Sequence, residues 1–158
     1  MHTILIAIDY NPTAQKVVEI GNEIATALQA NIHLLHVINS INYYNNNEYS
    51  PVMGFTGFSY NVNTLQNVTE YITVTAHEFL IKTKSHLNNN TINTIVKDGP
   101  TADSILEVAK DINATMIIVG SHSRRWLEKI LIGSTAEKVI QQSTVPVLTI
   151  PTKKTSDT

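Results

Sequence analysis

The feature that most restricts how this 158-residue chain can fold is a repeated change of hydrophobic period. Short, nearly continuous apolar runs at residues 4–8, 32–38, 116–119 and 145–150, rich in Ile, Leu and Val, read as strands buried on both faces. A fifth run, at 91–96, alternates apolar and polar positions and also reads as a strand. Between the runs the period lengthens to that of a helix. Val17, Ile20, Ile24 and Leu28 recur at three- and four-residue spacing, as do Ile105, Val108 and Ala109 with Leu106 beside them. Residues 65–87, carrying Val68, Ile72, Phe79 and Leu87, read as a long helix, and 135–140 as a short one. Strand–helix alternation of this kind implies an α/β fold: a single five-stranded parallel sheet with helices on both faces.

The punctuation agrees. Asp9 ends the first strand, and Asn11-Pro12-Thr13 provides turn and capping chemistry for the first helix. Gly99-Pro100 breaks the chain before a helix that Thr101 is expected to cap, and Asn113-Ala114-Thr115 turns into the next strand. Pro146 lacks a ladder N–H, which assigns the last strand to an edge or its proline to a strand end. Residues 39–63 lose all periodicity while holding Tyr43, Tyr44, Phe55, Phe58 and Tyr60, and they read as a long loop insertion. The expected organisation is one domain over 1–152, followed by a flexible tail over 153–158.

Composition excludes several classes. With 42% hydrophobic and 15% charged residues and a formal charge of −2, the chain has no basic stripe for nucleic acid. It contains no cysteine, which removes thiolate catalysis and cysteine metal sites. The first apolar run is broken at Asp9 and has no basic flank, so it reads as a strand and not a signal peptide, and no run approaches the ~20 residues of a membrane span. A cytoplasmic location is expected.

In parallel sheets, ligands sit beyond the carboxyl ends of the strands, where the order reverses. Asp9, Val37 and Gly120 fall at such ends. Gly120-Ser121-His122-Ser123, a glycine-free spacer, and Gly133-Ser134-Thr135 lead from a strand into a helix, the place where α/β proteins hold phosphates on backbone amides. The loop is neither a Walker A sequence nor a GxGxxG fingerprint. Two readings stand side by side. Gly120, Ser123, Ser134 and Thr135 cradle a phosphate, or Gly120 ends a strand and Gly133-Ser134 starts a helix. Likewise Asp9 accepts ribose hydroxyls or forms an Asx turn, and His122, Arg124 and Arg125 contact phosphate oxygens or are ordinary surface residues. His33 and His36 read as ordinary strand residues, without the carboxylates or further histidines of a metal site. No nucleophile, base and acid form a catalytic set.

Residues 4–9, 34–37, 111–120 and 143–148, together with the loop, make the chain similar to the universal stress protein family. ATP-binding members carry Gly-x2-Gly-x9-Gly-Ser/Thr; Gly120, Gly133 and Ser134 match, while Ser123 stands in place of the second glycine. The resemblance implies strand order 3-2-1-4-5, a Rossmann-like sheet related to adenine nucleotide α-hydrolases, and a homodimer paired through the last strand. It places adenine near Ala7, Asp9 and Val37, and ribose and phosphates on Gly120, Ser123, Gly133, Ser134 and Thr135. The ligand it implies is ATP, AMP or another adenine nucleotide, with or without magnesium. A left-handed backbone at Ser123 would cost about 1–2 kcal/mol, whereas an ordinary one would offer the phosphate a hydroxyl. The expected function is stress-response regulation by a nucleotide-binding protein that is not an enzyme beyond slow ATP hydrolysis. The alternative is a nucleotide-free dimer that binds an unknown protein partner through the 39–63 loop.

Overall fold

The structure, a computed structural model, describes residues 2–39, 62–121 and 132–152, with the side chains of the long helix described from residue 67 on. The elements are β1 (Thr3–Ala7), α1 (Ala14–Ala27), β2 (Asn31–Ile38), α2 (Val62–His86), β3 (Asn93–Asp98), α3 (Thr101–Asp111), β4 (Met116–Ser121), α4 (Ser134–Gln142) and β5 (Val147–Pro151). The strands form one parallel sheet in the order β3-β2-β1-β4-β5, as expected.

Side-chain alternation along the strands divides the core into two layers. Ile4 and Ile6 of β1 join Ile32, Leu34, Val17, Val18 and Leu80 beneath α1 and α2. Leu5, between them, joins Leu35, Ile117, Ile105, Val108 and Val139 beneath α3 and α4. α1 lies very close to the sheet at Gly21, where a Cβ would stand 2.6 Å from Ile6 Cδ1.

α1 and α3 end alike. Gln29 (φ 51°) and Asn113 (φ 51°) take the left-handed conformation. The N–H groups of Ala30 and Ala114 then reach back to the carbonyls of Ala25 and Ala109, each at 2.8 Å. These are Schellman closures made without glycine.

Several boundaries differ from the sequence reading. α2 begins at Val62, so the last residues of the expected 39–63 loop are helical, while 40–61 lie outside the described residues. β3 starts at Asn93 because Thr91 is taken into a turn, its N–H and hydroxyl both donating to Asn89 Oδ1 at 3.1 and 2.6 Å. Thr101 does not cap α3. Pro100 occupies the N-cap position in an extended conformation and Thr101 is the first helical residue. β5 runs from Val147 to Pro151, bracketed by Pro146 before it and by Pro151 as its last residue, and it is an edge strand as the proline implied. The tail over 153–158 lies outside the described residues, and among those described no helix is long and apolar enough to cross a membrane.

Candidate functional site

Register aligns the strand ends. Ala7 of β1 stands opposite Leu35 of β2 and Val119 of β4, and Gly120 opposite Ile150 of β5. β1 and β4 are neighbours, yet the chain leaves them toward helices in different layers, so a crevice opens above their ends. Its volume is about 710 Å³, within the range of small-molecule sites. Ala7, Leu35, Val37 and Val119 make an apolar floor, Ile105 of α3 adds to the apolar surface, and Asp9 supplies the acidic group.

Asp9 is held by its own turn. Its Oδ1 accepts the Asn11 N–H at 3.1 Å, and Asn11 Oδ1 in turn accepts the Thr13 N–H at 3.0 Å and the Thr13 hydroxyl at 2.8 Å. These two successive Asx turns carry the chain from strand to helix without a glycine. Asp9 thus forms the Asx turn that the sequence offered as one of its readings, and the same residue lines the crevice.

The opposite wall is the start of α4, with Ile132, Gly133, Ser134, Thr135 and Ala136. Gly133 is the N-cap at φ −57° and ψ 151°, and among the described residues no side chain caps the helix. The first intrahelical bond is from the Glu137 N–H to the Gly133 carbonyl, at 2.9 Å. The amides of Ser134, Thr135 and Ala136 thus precede the helical ladder, and the positive end of the helix dipole faces the crevice. Thr101 brings the start of α3 to the same space, and Ala14 and Val17 bring the start of α1.

Behind β1 sits His36, which is 4% exposed. Its Nδ1–H donates to the Ile8 carbonyl at 2.8 Å, one residue before Asp9. The ring packs against Tyr10 at 4.3 Å and Phe79 of α2 at 5.5 Å between centroids. Burial pushes its pKa below the ordinary value, opposed by the Ile8 hydrogen bond and the Asp9 charge. The sequence presents His36 as an ordinary strand residue; in the fold it is a buried support for the strand end that carries Asp9. His33 lies three positions away, on the other face of the strand, with a buried Nδ1 that has no hydrogen-bond partner among the described residues and a pKa also lowered by burial. Among the described residues no group of three or more His, Asp or Glu is placed to hold a metal ion.

Of the residues singled out by sequence, Ala7, Asp9, Val37, Gly120, Gly133, Ser134 and Thr135 line this one crevice. His122, Ser123 and Arg124 lie outside the described residues. Thr101, Ile105, Ile132, Ala14 and Val17 line it too and were not anticipated. The signal for Thr101 was present in Gly99-Pro100-Thr101, a strand-to-helix turn at the same sheet edge.

A doubly wound parallel sheet with a crevice between strand ends and an uncapped helix start defines a small-molecule-binding α/β domain. The universal stress protein family model matches residues 1–151, and the chain belongs to that family. It is 30% identical to universal stress protein A homolog 1 of Coxiella burnetii, covering 93% of this chain and 94% of the relative. It is 28% identical to universal stress protein MJ0577 of Methanocaldococcus jannaschii, covering 95% and 94%. A solved structure of MJ0577 superposes with a TM-score of 0.74 at 24% identity, over 98% of both chains. A universal stress protein solved in complex with cAMP superposes at 0.64 and 18% identity, over 96% of this chain and 98% of that one.

Proposed function

We propose that this chain is a cytoplasmic stress-response regulator that binds an adenine nucleotide, ATP or AMP, at the ends of β1, β2 and β4. The observation that carries the reading is the placement of Asp9 and the uncapped start of α4 around one apolar floor. A nucleotide needs those three surfaces together. The base takes the apolar floor at Ala7 and Val37, ribose hydroxyls donate to Asp9, and phosphate oxygens accept from the amides of Ser134 and Thr135 beside Gly120 and Gly133. The complex of a related fold with cAMP supports the ligand class. Ser123, His122 and Arg124 complete the phosphate side in this reading, with magnesium on the triphosphate when ATP is bound. The protein acts by binding and not by turnover, as a homodimer joined along β5.

Thermal melts with ATP, ADP, AMP and cAMP, each with and without magnesium, test the reading. A nucleotide at 100 times its Kd stabilises the fold by about 2.7 kcal/mol, which raises Tm by about 5–10 °C. No shift at millimolar nucleotide, together with no nucleotide released from denatured protein, would overturn it.

A further inference from the structure

α2 buries Ala76 and Leu80 against the sheet, both 0% exposed, and turns its opposite face to solvent. That face is not polar. Tyr71 is 62% exposed, Val74 50% and Ile81 56%. With Asn67, Glu78 and Ser85, also exposed, these residues are spaced alternately four and three apart, the spacing of a coiled-coil seam. The flanking charge is divided along the helix: the acidic Glu70 and Glu78 come first, and the basic Lys82 and Lys84 follow toward the C-terminal end. Among the described residues, none of these four enters an ion pair within the chain.

We propose that the exposed face of α2 is a self-association surface that takes α2 of a second copy in antiparallel orientation. A two-fold axis level with Ala76 sets Tyr71 against Ile81 and Val74 against Glu78 along the seam, and brings Glu70 beside Lys84 on one flank, each pair occurring twice. A parallel arrangement would instead set each seam residue on its own copy, Glu78 on Glu78 included, and align the helix dipoles. Glu78 lays its methylene stem along Val74 with its carboxylate at the rim, and as the charged residue of the seam it fixes the register. α2 packs on β2 and β3, at the end of the sheet away from the β5 edge, so the surface is separate from any pairing at β5.

The chain has no cysteine, so introduced thiols are unambiguous reporters. Full-length Tyr71→Cys mixed with full-length Ile81→Cys is expected to form a disulfide-linked heterodimer under mild oxidation, in higher yield than Tyr71→Cys with itself. Sedimentation of the cysteine-free chain supplies the second arm. Glu70→Lys and Lys84→Glu should each weaken this association about tenfold or more, and the double exchange should restore it to within about threefold. Circular dichroism confirms that each variant is folded. The proposal is overturned if the mixed cross-link does not exceed the self-cross-link, if single charge reversals leave association unchanged, or if the double exchange fails to restore it. Monomers at high micromolar concentration also overturn it.

Discussion

The Nδ1 of His36 lies 2.8 Å from the carbonyl oxygen of Ile8, so a buried ring on β2 holds the peptide that leads into Asp9. A carbonyl only accepts, which fixes a proton on Nδ1, while it is burial and not this bond that favours the neutral ring. The candidate site is thereby linked to the α2 layer, because the same ring packs on Phe79.

Stability is expected to fall with acid through this ring. The folded pKa of His36 is depressed below its ordinary 6.5 by burial, so between the two values the unfolded chain binds more protons than the native one. The stabilisation is complete above pH 6.5 and is lost as pH falls through the folded pKa; His33, also depressed by burial, acts in the same direction. In Tm measurements from pH 7.5 to 5, His36→Gln should begin lower at neutral pH and show a shallower decline. An unchanged slope would remove His36 from the acid response.

Asp9→Asn separates the two roles of that residue. The amide keeps an oxygen for the Asn11 N–H, now 3.1 Å from Oδ1, while the charge facing the crevice is removed. A hydrogen bond to a charged group contributes about 1.5–3 kcal/mol, so nucleotide affinity should drop at least about tenfold while Tm without ligand changes little. Equal affinities in calorimetric titrations of the two proteins would exclude the carboxylate from the ribose contact.

Gly21→Ala should destabilise although alanine is the better helix former. The added Cβ would stand 2.6 Å from Ile6 Cδ1 and 3.5 Å from Ile118 Cδ1, so the end of the fully buried Ile6 side chain must shift to admit it. Overpacking of this kind costs about 1–3 kcal/mol, more than the roughly 0.5–1 kcal/mol gained from propensity. Adding Ile6→Val removes the clashing methyl and should recover part of the loss in urea denaturation.

Gln29→Gly should act in the opposite sense. Gln29 closes α1 at φ 51°, a conformation that a side chain disfavours and glycine does not. The variant is expected to gain about 1 kcal/mol in the same urea titration, and a loss would mean that the Gln29 side chain contributes more than its backbone strain costs.

The strands were legible because burial on both faces leaves an unbroken apolar run, as in Ile4, Leu5 and Ile6. Their ends were less so. Thr91 has high strand propensity, yet Asn89 Oδ1 draws its N–H and hydroxyl into a turn, a local contest that hydrophobic period does not register. Asp9, Val37 and Gly120 could be assigned to one site because parallel topology alone brings strand ends together. The role of His36 could not, since it depends on Phe79, which a distant helix lays over β2. Thr101 and Ile105 escaped for a related reason: the apolar period of α3 marks the face it buries and not where its first turn points.

β5 closes the sheet with one open edge, and a proline stands at each end of it. A strand added there finds backbone donors only between Pro146 and Pro151, a window of four residues, Val147 to Ile150. Such a window admits one short partner in register and offers nothing to a strand sliding past it. The two prolines thus cap the length over which any added strand can pair with β5, so the edge is kept from offering a long, unbroken row of donors.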